Sequence, residues 1–198
     1  WSGADPPLAA LGLALSAVPA MTLAVTLVNW LVTRLAAPDT LPKLDFRRAI
    51  AADGPTAIAI PALVGGPADA AALERRLEAH RLANPDPMLR FVLLSDLPDA
   101  ASEKTDHDAE TEAALKATVE RLNARYPGAP FHLLHRPRRF NPGEGVWMGW
   151  ERKRGKLEQF NAFILTGDAT PFSLVAGDVA ALRRIRFVAT ADADTVLP

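Results

Sequence analysis

Arg186-Phe187-Val188-Ala189-Thr190-Ala191-Asp192-Ala193-Asp194-Thr195 joins a short apolar run to two aspartates one residue apart. Phe187, Val188 and Ala189 lie between basic Arg183, Arg184 and Arg186 and that acidic pair, a pattern that fits a buried strand of a parallel sheet. The aspartates then fall at the carboxyl end of the strand, where open α/β sheets bind ligands because the loops there frame a crevice. In extended backbone Asp192 and Asp194 point to one side and offer hard oxygen donors suited to Mg²⁺ or Mn²⁺ on a diphosphate. A solvated turn after a strand is the plain alternative, because Asp-x-Asp is a short motif.

Upstream, strands and helices alternate. Ala57-Ile-Ala-Ile60 is a short apolar strand stopped by Pro61 and Gly65-Gly66. Leu73 and Leu77, with Glu74, Glu78 and Arg81 around them, predict a helix from Ala70 to Ala83, closed by Asn84-Pro85-Asp86-Pro87. Arg90-Phe-Val-Leu-Leu94 is a second strand, ending at Ser95-Asp96. A helix follows from about Asp108 to Arg125, with Ala114, Leu115, Thr118, Val119 and Leu122 on one face. Phe131 to Leu134 is a third strand, and a basic, aromatic loop leads to a helix near Lys156 to Leu165 before the strand at Phe187. Alternation of this kind requires a mostly parallel sheet wound with helices, since parallel neighbours need crossover connections.

Composition narrows the class. Of 198 residues, 49% are hydrophobic and 23% charged, with a formal net charge of −1, so no global basic field draws nucleic acid. Cysteine is absent, which excludes disulfides and thiolate metal sites. The apolar excess is local. From Leu8 to Val32 there is no charged residue, and at about 1.5 Å per residue this run is long enough to cross a hydrocarbon core of about 30 Å. Pro19 is expected to kink such a helix. A buried core helix, or two interfacial segments broken at Pro19, are the alternatives. Arg34, Lys43, Arg47 and Arg48 follow the run, which orients the remainder toward the cytoplasm at an inner (cytoplasmic) membrane. The expected organisation is a transmembrane segment at 1–35, a linker at 36–55 containing Pro38-Asp-Thr-Leu-Pro-Lys43, and a soluble α/β domain at 56–198. The chain lacks an initial methionine and stops soon after the aspartates, so it is expected to be a piece of something longer.

The densest chemistry lies between Arg136 and Lys156, where Arg136, Arg138 and Arg139 precede Trp147-Met-Gly-Trp-Glu-Arg-Lys-Arg-Gly-Lys156. Bases interleaved with aromatics suit single-stranded nucleic acid, but the near-zero net charge and the membrane segment argue against that partner. A diphosphate and a sugar ask for the same two features, since Arg and Lys match phosphate oxygens and Trp stacks on a sugar's apolar face. A solvated basic face beside lipid headgroups is the alternative. Asp96 is placed to accept a hydrogen bond from a nucleobase N–H, or else to serve a turn in Asp96-Leu-Pro-Asp99. His132 and His135, three apart on a strand, leave opposite faces and read as structural. No Walker, G-x-G-x-x-G or G-x-S-x-G pattern is present.

Three stations in order, Asp96 closing the second strand, Lys156-x4-Asn161, and Asp192-x-Asp194, resemble the inverting, nucleotide-sugar-dependent glycosyltransferases of the GT-A fold. Within that class, Val28-Asn-Trp-Leu-Val-Thr-Arg34, Leu41-Pro-Lys-Leu-Asp-Phe46, Ala83-Asn-Pro-Asp-Pro87, Leu122-Asn-Ala-Arg-Tyr-Pro127 and Trp147-Met-Gly-Trp-Glu-Arg-Lys-Arg-Gly-Lys-Leu157 are similar to the membrane-bound cyclic β-1,2-glucan synthases. The resemblance implies a GT-A-like, Rossmann-like sheet truncated after the D-x-D strand, and transfer of glucose from UDP-glucose to a growing β-1,2-glucan chain beside the lipid bilayer. It implies a divalent ion on Asp194, with Asp192 on the ribose or the metal. It further implies a donor site of Pro61, Ala62, Asp96, Trp150, Arg154, Lys156 and Asn161, with Lys156 on the diphosphate and Asp96 on uracil. Pro61-Ala62 departs from the family's usual Pro-Thr, which puts a nucleoside contact there in doubt. The acceptor base of such enzymes is expected beyond Pro198, so the fragment is expected to bind donor without transferring sugar. A non-catalytic nucleotide-binding or membrane-tethered interaction domain is the alternative.

Overall fold

Successive residues of the central strands face two different helix layers, and this alternation builds the α/β unit. The computed structural model describes residue 3, residues 5–36 and residues 49–192. Pro38–Lys43, Arg47, Arg48 and Asp194 therefore lie outside the described residues. The chain divides into two units, 1–44 and 45–198.

In the first unit, α1 (Pro6–Leu35) is a single helix of 30 residues that continues through Pro19, about 45 Å long at the usual rise. None of its side chains is buried. Its hydroxyls are satisfied within the helix: Ser16 donates to the Leu13 carbonyl, Thr22 to Val18, Thr26 to Thr22 and Thr33 to Asn29. That economy suits surroundings that supply no hydrogen bonds. The Arg34 guanidinium sits 5.3 Å from the Trp30 ring centroid, an aromatic and a cation together at one end of the apolar run. Length and mean hydropathy of 2.0 make α1 able to span a membrane.

In the second unit the elements are β1 (Thr56–Leu63), α2 (Pro67–Ala83), β2 (Leu89–Asp96), α3 (Asp108–Arg125), β3 (Phe131–Arg136), β4 (Arg139–Asn141), β5 (Val146–Met148), α4 (Arg152–Thr166), β6 (Leu174–Ala176), α5 (Val179–Leu182) and β7 (Phe187–Thr190). The main sheet runs β6-β3-β2-β1-β7, parallel except for β6, and β4 and β5 form a separate antiparallel hairpin. The fold is thus α/β with a mostly parallel sheet flanked by helices.

Ile58, Ile60, Phe91, Leu93, Phe131 and Leu133 face α2 and α3, where Leu73, Leu77, Leu115, Val119 and Leu122 close one core. Ala57, Ala59, Val92, Leu94 and Leu134 face the other way, onto Phe160, Phe163 and Ile164 of α4. The small residues on β1 oppose the large aromatics of α4, which lets that helix lie close to the sheet.

Three expectations are corrected. Pro61 does not stop β1, which runs to Leu63. The missing N–H at Pro61 falls on the side of β7, and among the described residues β7 pairs with Thr56 to Ala59, short of Pro61. The second correction is that α4 begins at Arg152 rather than Lys156. The third is that β7 is parallel as expected but exposed along its length, because it forms the edge of the described sheet. Ahead of Thr56, the Ile50 N–H donates to Asp86 Oδ2 at 2.7 Å, and Ile50 packs on the core.

His132 and His135 leave β3 on opposite faces and are fully buried. His135 Nδ1 shares a 2.8 Å hydrogen bond with Ser95 Oγ, and His132 Nε2 lies 3.2 Å from the Asp178 carbonyl. Burial disfavours the imidazolium and lowers both pKa values from 6.5 to about 4. The unfolded chain therefore binds protons between pH 6.5 and 4 that the folded chain refuses, so this stability is complete above 6.5 and is lost as pH falls toward 4. The urea midpoint should fall across that window, and the His132→Gln, His135→Gln double variant should be less stable at pH 7.5 yet show a flatter profile. An equal slope in the double variant would remove the histidines as its cause.

Candidate functional site

Going outward from β1, the chain adds β2 and β3 on one side, then returns with β7 on the other. Such a reversal opens a crevice at the carboxyl ends of the strands. A cavity of about 250 Å³ lies at that edge, lined by Pro61, Ala62 and Leu63 of β1, Asp96 of β2, Asp99, Gly149, and Arg152, Lys153 and Lys156 of α4.

Its floor is a buried charge network. Arg136, the last residue of β3, places its fork on Asp96, with Nε to Oδ1 and Nη2 to Oδ2 both at 2.7 Å. Its remaining donors reach the Trp150 carbonyl at 2.9 Å, Gln159 Oε1 at 2.9 Å and the Arg152 carbonyl at 3.0 Å. All five N–H groups of the guanidinium are thereby used. Lys156 enters from the first turn of α4 and donates to the Ala62 carbonyl at 2.7 Å, with Asp96 Oδ2 at 3.1 Å. Burial lowers the Lys156 pKa, and the Asp96 charge opposes that shift. Of three ammonium N–H bonds, two are taken by these partners.

Gly149 explains how the chain passes over this floor. A Cβ there would collide with the Asp96 carboxylate and come within 3.1 Å of Arg136 Nη2. Arg138 is likewise buried and paired, its fork lying on Asp108 with Nη1 to Oδ2 at 2.6 Å. Burial pushes the Asp108 carboxyl upward, but the bonds from Arg138 and Thr105 outweigh it and hold the pKa at about 2. Arg136 and Arg138 are thus structural, and neither forms a solvated basic face.

The sequence-derived residues separate into three groups. Pro61, Ala62, Asp96 and Lys156 meet in one cavity. Asp192 is exposed just beyond β7 and ion-pairs with Lys153, which lines that cavity. Trp150 lines two other hollows instead. Arg154 is exposed and pairs with Glu151 and Glu158, Asn161 lies on the exposed side of α4, and neither lines any of these three cavities. Lys156 and Asn161, five apart on a helix, do not share a face. Lys153 and Arg152, which flank Lys156 on the same cavity wall, were not singled out from sequence. The Lys156 spacing on an amphipathic α4 was the available signal for Lys153.

A divalent ion needs more than Asp192. Among the described residues no group of three or more His, Cys, Asp or Glu side chains is gathered to hold a metal. The donor set implied by the resemblance requires Asp194, outside the described residues.

The class these features define is an α/β domain with a cavity lined by Arg152, Lys153 and Lys156 at the carboxyl edge of a mostly parallel sheet. No protein-family model matches the chain. Over 188 residues, 93% of this chain, it is 39% identical to cyclic β-(1,2)-glucan synthase NdvB of Rhizobium meliloti (strain 1021). The chain spans about 7% of the length of that relative. The resemblance to a cyclic β-1,2-glucan synthase holds along nearly the whole chain, as a counterpart of one segment of that much longer protein.

Removing Arg136 leaves Asp96 buried with Lys156 alone. Arg136→Met should lower unfolding stability by about 3–5 kcal/mol, the usual cost of breaking a buried ion pair from one side. Urea denaturation decides it: a loss under about 1 kcal/mol would mean that the network does not hold this edge together.

Proposed function

We propose that this chain carries the donor-binding part of an inverting glycosyltransferase that moves glucose from UDP-glucose onto a growing β-1,2-glucan, with the domain on the cytoplasmic side of the inner membrane. The observation that carries this reading is the meeting of Pro61, Ala62, Asp96 and Lys156, residues far apart in sequence, in one cavity at the carboxyl edge of a parallel sheet. The 39% identity to a segment of a cyclic β-(1,2)-glucan synthase supplies the substrate class.

In the proposed reaction an acceptor hydroxyl attacks the anomeric carbon of glucose as the bond to UDP breaks. The proton of that hydroxyl passes to a carboxylate base outside this chain, and negative charge grows on the diphosphate. Lys156, Lys153 and Arg152 are the cations on the cavity wall that would neutralise it. A divalent ion on Asp192 and Asp194 would supply further charge stabilisation to the leaving diphosphate. Asp96 has both oxygens engaged by Arg136 and Lys156, so its first duty is to fix the lysine. One acceptor position on Oδ1 remains for a base N–H.

Calorimetry on the full chain in detergent tests the reading. UDP-glucose should bind more tightly with Mn²⁺ than without. The Asp192→Ala, Asp194→Ala double variant should lose the metal dependence, and Lys156→Met should weaken binding at least tenfold. Absence of binding in a folded sample, with or without Mn²⁺, would count against a donor site in this chain.

A further inference from the structure

Beside the donor-side cavity lie two more hollows. One, about 390 Å³, sits between the β4–β5 hairpin and the turn entering α4, and Arg139, Asn141, Glu144, Met148, Trp150 and Arg152 are among its walls. The next, about 370 Å³, continues along α4 past Glu158, Gln159 and Ala162. Arg139 and Trp150 line both, so the two form one trough with these side chains at its waist. Arg152 lines both the first hollow and the donor-side cavity.

The trough is built around Trp150. Trp150 is 42% exposed, although it stands over the first turn of a packed helix. Gly155 makes this possible: a Cβ there would collide with the Trp150 carbonyl and stand 2.7 Å from ring atom Cε3. Immediately after it, Glu151 and Arg152 both adopt left-handed backbone, φ 51° and 47°, which non-glycine residues rarely accept. The Arg139 side chain is exposed and makes no hydrogen bond or ion pair among the described residues. A rigid exposed ring, a free guanidinium, an amide and carboxylates along a trough of two hollows match a chain of hexoses. The C–H face of one sugar ring stacks on an indole, and its hydroxyls pair with planar polar groups on either side.

We infer that the trough across Trp150 and Arg139 binds a run of glucosyl units of the β-glucan itself, and Arg152 separates it from the donor cavity. This rests on the proposed glycosyltransferase reading for the identity of the sugar. The division into two hollows favours an oligosaccharide over a single hexose, because a ligand that fills both must pass the indole.

The test uses the full chain in detergent, with linear β-1,2-gluco-oligosaccharides as the probe, followed by calorimetry. UDP-glucose is titrated in parallel. Trp150→Ala and, separately, Arg139→Ala should each weaken oligosaccharide binding at least tenfold while UDP-glucose affinity changes less than twofold, and Trp150→Phe should retain most of it. Because Arg139 is exposed and unpartnered, its variant reports on the trough even if Trp150→Ala destabilises the fold. Oligosaccharide affinity unchanged by Arg139→Ala and Trp150→Ala, or absent in the parent chain, overturns the inference. So does an equal loss of UDP-glucose binding, which would make Trp150 part of the donor site. Oligosaccharide binding that persists where UDP-glucose fails to bind would instead sink the donor reading and leave the trough standing.

Discussion

The Arg136 guanidinium is the constraint on which the carboxyl edge of this domain depends. It ends β3, grips the carboxylate that ends β2, and bonds the carbonyls of Trp150 and Arg152, which lead into α4. Burying a guanidinium, a carboxylate and an ammonium together is costly, and only complete satisfaction of the donors makes it tolerable. Here the fork has no spare N–H, and Lys156 finds a backbone carbonyl besides the carboxylate. The strand ends, the turn and the helix are therefore fixed to one another by polar geometry at the place where apolar packing gives out.

Packing sets up that geometry from below. Ala57 and Ala59 present almost no bulk to Phe160 and Phe163, so α4 settles close against β1 and β2. That closeness lets an ordinary lysine in its first turn reach the Ala62 carbonyl on β1. Larger side chains at 57 and 59 would lift the helix and carry Lys156 away from both its partners. The place of Lys156 at the cavity wall is thus a consequence of small residues in the core.

Much of this was legible beforehand, for physical reasons. The apolar run of β2 and the helical period of Leu73 and Leu77, and of Leu115, Val119 and Leu122, are signals of burial, and burial is what the fold delivered. Asp96 and Lys156 were singled out through resemblance, and their side chains lie 3.1 Å apart. The partnership of Arg136 with Asp96 was not legible, because forty residues separate them and a buried arginine has the same letter as a solvated one. The same holds for Arg138 and Asp108, whose pairing removes a charge that a basic run seemed to offer to solvent. The β4–β5 hairpin escaped notice because each strand has only three residues, too few for alternation to register. Gly149 and Gly155 were the clue available within Trp147-Met-Gly-Trp-Glu-Arg-Lys-Arg-Gly: each removes a Cβ from a place where another group must come close.

The left-handed turn at Glu151 and Arg152 ties these threads together. Two consecutive non-glycine residues in that region store about 1–3 kcal/mol each. Local bonds from the Arg152 N–H to the Gly149 carbonyl and from the Gly155 N–H to the Glu151 carbonyl close the turn, and Arg136, whose two terminal nitrogens bond the carbonyls on either side of Glu151, holds it in its strained form. The strained turn in turn sets the direction of the Trp150 ring on one side and of Arg152 and Lys153 on the other. A single buried guanidinium thus orients the walls of the carboxyl-edge cavity and of the neighbouring trough together. Ligands in the two places would act on the same few backbone atoms, which is a physical route by which occupancy of one could alter the other without any movement of the sheet.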